Sequence, residues 1–281
     1  MPTQKRERKR QGRHARQEYL QAQRRKAKLR RQAMIVLVVV GLVLGAALFF
    51  SRDGGDNVAT NSTTTTVAGA IPKAEPVAND SKVTGDTPCP PADGSAKPTY
   101  KFEKPAPMCI DPAKANVAVM TTSEGVIEIT LDTQKTPKTA NNFAVLSRYH
   151  YYDGTALFRT NTGIDIIQGG SPHTQFNDDP GPGYTIEDEG TGFKYAEGDL
   201  VMARSQGPNS ASAQFFFASG PKTSALDSQG TYVTFGKVTS GLDVVKAIMA
   251  LHRDDPTAQG GPGEGGPSKL VIIEKIEIVE K

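Results

Sequence analysis

The sequence predicts a mainly β body, built as a closed barrel or a sandwich, standing behind one membrane-spanning segment. Three observations point there. The chain has 281 residues, 37% hydrophobic and 22% charged, which excludes a wholly disordered chain and a polytopic membrane protein. Residues 34–50, MIVLVVVGLVLGAALFF, form one uncharged apolar run. From about residue 115 onward, short β-rich runs alternate with Gly-rich turns, the pattern of a barrel or sandwich.

The head comes first. Residues 1–31 hold 13 Lys and Arg against only Glu7 and Glu18, whereas the remainder holds 20 bases and 28 acids. The net charge of +3 therefore averages a strongly basic head and a mildly acidic body. A basic run invites a nucleic-acid reading, but Tyr19 is the head's one aromatic residue able to stack on a base. The head reads instead as a topology signal that also attracts anionic lipid.

The run at 34–50 is about 25 Å long as a helix, close to the ~30 Å hydrocarbon core. Arg24, Arg25, Lys26, Lys28, Arg30 and Arg31 flank its N-terminal side, which predicts a cytoplasmic tail (1–33) and an extracytoplasmic body. A cleaved signal peptide fits less well. Its n-region would exceed 30 residues, and Ala68-Gly69-Ala70, the small-x-small pattern, lies well past the run. A buried core helix would not be apolar on every face between two polar stretches.

Residues 51–86 are rich in Thr, Asn, Asp, Gly, Val and Ala without helical or strand period. They read as a disordered tether with an r.m.s. reach of roughly 30–36 Å. An extension at 87–114 carries Cys89 and Cys109. Both lie on the oxidising side of the predicted topology, so a disulfide is expected. Closing that loop is worth roughly 3 kcal/mol on the chain-entropy model. The spacing is not C-x-x-C, so a redox role is not expected.

The body, 115–281, opens with strands at 116–122 and 126–131 around the turn Ser123-Glu124-Gly125. Thr136 then suits a helix N-cap and Pro137 the first helical position. That helix should run out near His150. Further strands are predicted at 155–159, 164–168, 199–203, 214–218, 232–238 and 270–279, with a second helix at 242–250.

Which chemistry do these residues permit? His150, His173 and His252 have no metal-ligand spacing with one another or with Cys, so no metal site is expected. No nucleophile elbow and no P-loop occur. Glu187-Asp188-Glu189 could suggest paired acid–base work, but has no partner in sequence and reads as a solvated or turn-capping run.

Two segments carry more than composition: FRTNTGIDIIQGG at 158–170 and MARSQGPNSASAQFFF at 202–217. Flanking them are TPKTANNF at 136–143, Leu226-Asp227, YVTFGKV at 232–238 and LDVV at 242–245. In this order the blocks resemble the cyclophilin-type peptidyl-prolyl isomerases over about 115–281. The resemblance implies a closed eight-stranded antiparallel barrel capped by two helices.

It also implies a reaction. Amide resonance gives the peptide bond a barrier of ~18–20 kcal/mol. Cis and trans X-Pro differ by only ≈ 0.5–1 kcal/mol. Catalysis needs no nucleophile, metal or cofactor, only tighter binding of the twisted bond than of either planar form. As resonance is lost the prolyl nitrogen gains a lone pair, to which a fixed guanidinium can donate. The resemblance assigns that donor to Arg159 and makes Gln168 the residue that positions the substrate carbonyl or Arg159. Gln214 would bond the substrate backbone, and Arg204, Ser205 and Gln206 would form the peptide-binding edge. Ile166, Phe216 and Leu226 would line the proline pocket, with Tyr232 at its rim.

The chain also departs from the family. Phe158 stands where His is usual, Asp165 at a pocket position usually aromatic, and Ala225 where some members carry Trp. The reading is thus a membrane-anchored isomerase acting on Pro-containing segments of exported polypeptides, with no nucleic-acid partner. Phe158 and Asp165 favour an alternative, a module that binds such segments with little turnover. A scaffold role is disfavoured by the joint presence of Arg159, Gln168, Gln214 and Phe216.

Overall fold

The computed structural model describes residues 70–281 apart from Gln206 and 259–260. The basic head, the segment 34–50 and the tether as far as residue 69 lie outside the described residues. Among the described residues no helix is long and apolar enough to cross a membrane.

Two short strands, β1 (Lys82–Val83) and β2 (Lys101–Phe102), pair in parallel ahead of the main sheet. They correct the tether. Residues 70–86 are not free of the body: the Val77 and Ala78 amides donate to Pro172 O, and Val77 and Val83 pack on the core. The extension is pinned likewise. Cys89 and Cys109 are disulfide-bonded, Asn141 Oδ1 accepts from the Cys109 amide at 2.7 Å, and Tyr149 Oη donates to Pro88 O at 2.9 Å.

The main sheet contains β3 (Asn116–Thr122), β4 (Gly125–Leu131), β5 (Arg159–Asn161), β6 (Ile166–Gly169), β7 (Asp199–Arg204), β8 (Ala211–Ala218), β9 (Thr234–Ser240), β10 (His252–Asp254), β11 (Glu264–Pro267) and β12 (Ile273–Glu280). Their order is β10-β11-β5-β6-β8-β7-β9-β4-β3-β12, antiparallel throughout. This corrects the closed eight-stranded barrel. The ladder has ten strands and two ends, and 154–157 meets 271–273 only through the isolated bridge Ala156–Ile272 and its neighbouring backbone bonds.

The two additional strands are β10, from the charged run His252–Asp254, and β11, from the Gly-rich run Glu264–Pro267, neither of which the sequence predicts. Gly265 explains why β11 pairs so closely: a Cβ there would stand 1.8 Å from Arg253 O. Among the described residues the helices are α1 (Pro137–Arg148), α2 (Leu242–Ala250) and a 3-10 helix, Pro221–Ser228, which the sequence does not predict.

Pro137 opens α1 as expected, but Thr136 does not cap it; its hydroxyl donates to Asp132 O. The cap is Glu189. Its carboxylate accepts from the Lys138 and Thr139 amides at 2.9 and 2.6 Å, at the end of the helix where negative charge is favoured. The acidic run is therefore structural: Glu187 pairs with Lys138 at 2.7 Å, and Asp188 with Arg204 at 3.1 Å.

Strand alternation separates two apolar clusters. Ile167, Leu200, Met202, Phe215 and Phe217 point into the main core, where Phe143, Tyr152 and Phe235 are fully buried. Ile166, Val201 and Phe216 point to the other face and form a second cluster with Tyr195. Residue-type periodicity in the sequence does not distinguish the two faces, since both are apolar.

Candidate active site

The second face carries the candidate residues. β5, β6, β8 and β7 place Arg159, Gln168, Phe216 and Val201 directly opposite one another in one cross-strand row. Ile166 and Gln214 lie two residues along their strands from that row and so share its face. They border a groove of ≈ 400 Å³ that Leu226, Tyr232, Arg204 and Ser205 also line. Gln206 lies outside the described residues.

The apolar floor is compact. Ile166 and Phe216 are buried, and Leu226 and Tyr232 pack against them half-buried. The Phe216 and Tyr232 rings meet edge to face at 5.8 Å. Tyr195 supports Tyr232 from below: its hydroxyl donates to Tyr232 O and accepts from the Tyr232 amide. Burial pushes the Tyr195 phenol up to about 12, so it stays protonated.

A polar chain runs along the rim. Arg159 Nη1 donates to Gln168 Oε1 at 2.6 Å, and Gln168 Nε2 donates to Gln214 Oε1 at 2.7 Å. Gln214 Nε2 reaches Asn177 O at 3.3 Å. On its other side Arg159 makes a fork with Glu264, through Nε to Oε1 and through Nη2 to Oε2 at 2.7 Å. Asn161 Nδ2 adds a bond to Glu264 Oε2 at 2.7 Å. Burial raises the Glu264 carboxyl, but the hydrogen bonds from Arg159 and Asn161 and the nearby positive charge outweigh it, leaving its pKa below the ordinary value. A guanidinium has five N–H donors. With these three bonds made, two N–H groups of Arg159 remain for a ligand.

Glu264 and Asn161 are the functional candidates the sequence reading missed. Glu264 lies 105 residues from Arg159. Its one signal is a lone acid inside GGPGEGGP, a run otherwise free of charge.

Three departures from the family pattern are resolved by position. Asp165 does not line the groove; it sits at φ 49° with its carboxylate accepting from the Lys222 amide at 2.9 Å, anchoring the 3-10 helix. Ile164 borders the groove instead. Phe158 packs on Phe176, ring centres 5.9 Å apart, in a different groove of ≈ 770 Å³ on the far side of Arg159. That groove is larger but lacks Gln168 and Gln214, the amides that would orient a peptide. Ala225 is exposed on the 3-10 helix and is absent from the lining of the groove. Arg204 is the candidate whose donors are most fully engaged elsewhere: they reach Asp188, Thr231 O and Gly207 O.

Comparison with known proteins identifies the family. Residues 117–278, more than half of the chain, match the family described as cyclophilin type peptidyl-prolyl cis-trans isomerase/CLD. Peptidyl-prolyl cis-trans isomerase of Acinetobacter baylyi is 33% identical over 169 residues, 59% of this chain and 87% of that protein. Peptidyl-prolyl cis-trans isomerase A of Dickeya dadantii is 30% identical over 165 residues, 58% of this chain and 84% of that protein. A crystal structure of a Cryptosporidium parvum cyclophilin type isomerase is similar at 27% identity with a TM-score of 0.49, covering 60% of this chain and 99% of that one. The chain belongs to the cyclophilin-type peptidyl-prolyl cis-trans isomerases.

Proposed function

We propose that this isomerase is held at the membrane by residues 34–50 and acts on X-Pro bonds of exported polypeptides outside the cytoplasm. The proline ring enters the pocket of Ile166, Phe216, Leu226 and Tyr232. Gln214 holds the substrate backbone, and a free N–H of Arg159 donates to the prolyl nitrogen as the bond twists. Bond rotation breaks no covalent bond, so the protein's part is to hold the pyramidal nitrogen better than the planar one. The observation that carries this reading is the row Arg159–Gln168–Phe216. It sets a fixed cation and a neutral amide beside the apolar side chains Ile166, Phe216, Leu226 and Tyr232. Uncatalysed isomerisation takes tens of seconds, slow enough to limit folding of an exported chain.

Following cis-to-trans conversion of a short X-Pro peptide with the detergent-solubilised full chain tests the chemistry. Acceleration that Arg159→Ala removes supports it; no acceleration overturns it. Protease added to intact cells tests the topology. Loss of the body with protection of the basic head supports the anchor, and a body protected until lysis overturns it.

One observation favours a second reading, a binding module with little turnover. The Glu264 carboxylate neutralises the Arg159 charge, and a neutralised cation stabilises a developing lone pair less. Peptide binding without acceleration in the same assay would select this reading.

A further inference from the structure

The Arg159–Glu264 fork invites the question of what a carboxylate does on the residue placed at the reaction centre. An arginine side chain carries about 2 kcal/mol of rotamer entropy. One neutral hydrogen bond from Gln168 fixes one corner of the guanidinium and leaves its plane free to turn. A bidentate carboxylate fixes the plane as well.

Glu264 is itself held with little freedom. β11 pairs with β5 so that Glu264 stands opposite Asn161. Its carboxylate accepts from Arg159 Nε, Arg159 Nη2 and Asn161 Nδ2, and its side chain is 8% exposed. The backbone beside it is set by close packing, since a Cβ at Gly266 would stand 2.9 Å from Phe158 O. The fork takes the Nε–Nη2 edge of the guanidinium, and Gln168 takes one N–H of Nη1. What remains free is one N–H on each terminal nitrogen.

We infer that Glu264 is a positioning residue: it locks the plane of the Arg159 guanidinium so that its free N–H groups are presented to the proline pocket. The inference rests on the isomerase reading above. Glu264 touches no substrate in this scheme and acts only through Arg159. Neutralising the cation weakens its long-range field. A pre-aimed hydrogen bond is nevertheless what the twisted amide needs, because misplacement by about 1 Å can reduce a rate 10²-fold.

Two consequences separate this role from a merely structural one. The first is non-additivity. If Glu264 works through Arg159, removing it after Arg159 is gone changes nothing further. The second is an acid limb in the rate profile, since a protonated Glu264 cannot accept both bonds of the fork. Around Glu264 are Arg159 and Asn161 on β5, which donate to its carboxylate, His252 on β10, which is within electrostatic reach, and Asp255, whose amide donates to Glu264 O. His252 bonds the neighbouring Thr160 Oγ1 at 2.7 Å, so His252→Asn is the control that separates an imidazole contribution from that of Glu264.

The experiment measures kcat and KM on an X-Pro peptide with the full chain in detergent, for wild type, Glu264→Gln, Arg159→Ala and the double variant, each with its thermal midpoint. The expected result is a kcat about tenfold lower in Glu264→Gln with KM little changed, partial recovery in Glu264→Asp, and a double variant no slower than Arg159→Ala. An acid limb present in wild type and in His252→Asn, and absent from Glu264→Gln, completes it. A folded Glu264→Gln with wild-type kcat overturns the inference, as does a double variant that loses both effects in full. If Glu264→Gln does not fold, Glu264→Asp decides: its shorter carboxylate should lower kcat with KM little changed, and a folded Glu264→Asp with wild-type kcat overturns the inference. An inactive wild type instead overturns the isomerase reading.

Discussion

Two arginines border the groove, each on a strand and each ion-paired, yet their surroundings differ. Arg159 is tied to side chains, Glu264 and Gln168, that themselves stand on paired strands. Arg204 is tied to Asp188 and to two loop carbonyls, Thr231 O and Gly207 O. The first arrangement fixes a cation beside a groove whose floor, Ile166 and Phe216, is buried. The second closes loops around the groove's edge. Residue type and proximity are shared, so the partners of a charge, more than its presence, decide what it does.

Replacing each arginine tests that contrast most directly. Arg159→Ala should lower kcat by about 10²–10³, the range for removing one transition-state donor. Arg159→Lys should restore little, because an ammonium cannot occupy a fork. Arg204→Ala should act first on stability. It removes the bonds from Arg204 to Asp188, Thr231 O and Gly207 O, worth about 1–3 kcal/mol, visible as a lower thermal midpoint. KM should rise as the edge at Gly207 and Ser210 loses its tie to Arg204. If Arg204→Ala reduced kcat as much as Arg159→Ala while the fold held, the contrast would fail.

A smaller effect sharpens the structural side. Glu189 neighbours Asp188 and caps α1. Glu189→Ala should lower stability by about 0.5–2 kcal/mol, as for loss of a helix cap. In the peptide assay its kcat should match wild type, since Glu189 lies outside the groove. A kcat loss without a stability loss would tie the acidic run to the chemistry after all.

How much of this was legible beforehand follows from chain distance. Arg159, Gln168 and Phe216 sit in two short segments whose strands pair β5 to β6 to β8, so a linear motif already contains the row. Glu264 was illegible because its strand hides in a Gly-rich run, and glycine, lacking a side chain, leaves no periodicity to read. Asp165 was misplaced for a local reason. At φ 49° it turns its carboxylate toward the 3-10 helix and away from the groove. The closed barrel is what the family resemblance implies; the eight β-rich runs alone fit a barrel or a sandwich, and the join at Ala156 and Ile272 depends on backbone bonds that no residue type announces.

The smallest expected effect is in the pH dependence of stability, and it again divides the two corners. The Glu264 carboxyl lies below its ordinary value: burial raises it, and the bonds from Arg159 and Asn161 outweigh that. Such a group binds its proton more weakly folded than unfolded. Its contribution is therefore complete above the unfolded value of about 4.3 and is lost as pH falls through the folded value. At neutral pH, Glu264→Gln should melt below wild type. As pH drops and Glu264 takes a proton, wild type comes to resemble the glutamine variant, and the gap should close. Glu280, lowered chiefly by its hydrogen bond from Arg148, acts with the same sign but is present in both proteins, so it cancels from the difference. A gap that stays constant through the acid range would mean that the Glu264 charge does not hold this corner together, and that packing of β11 against β5 does.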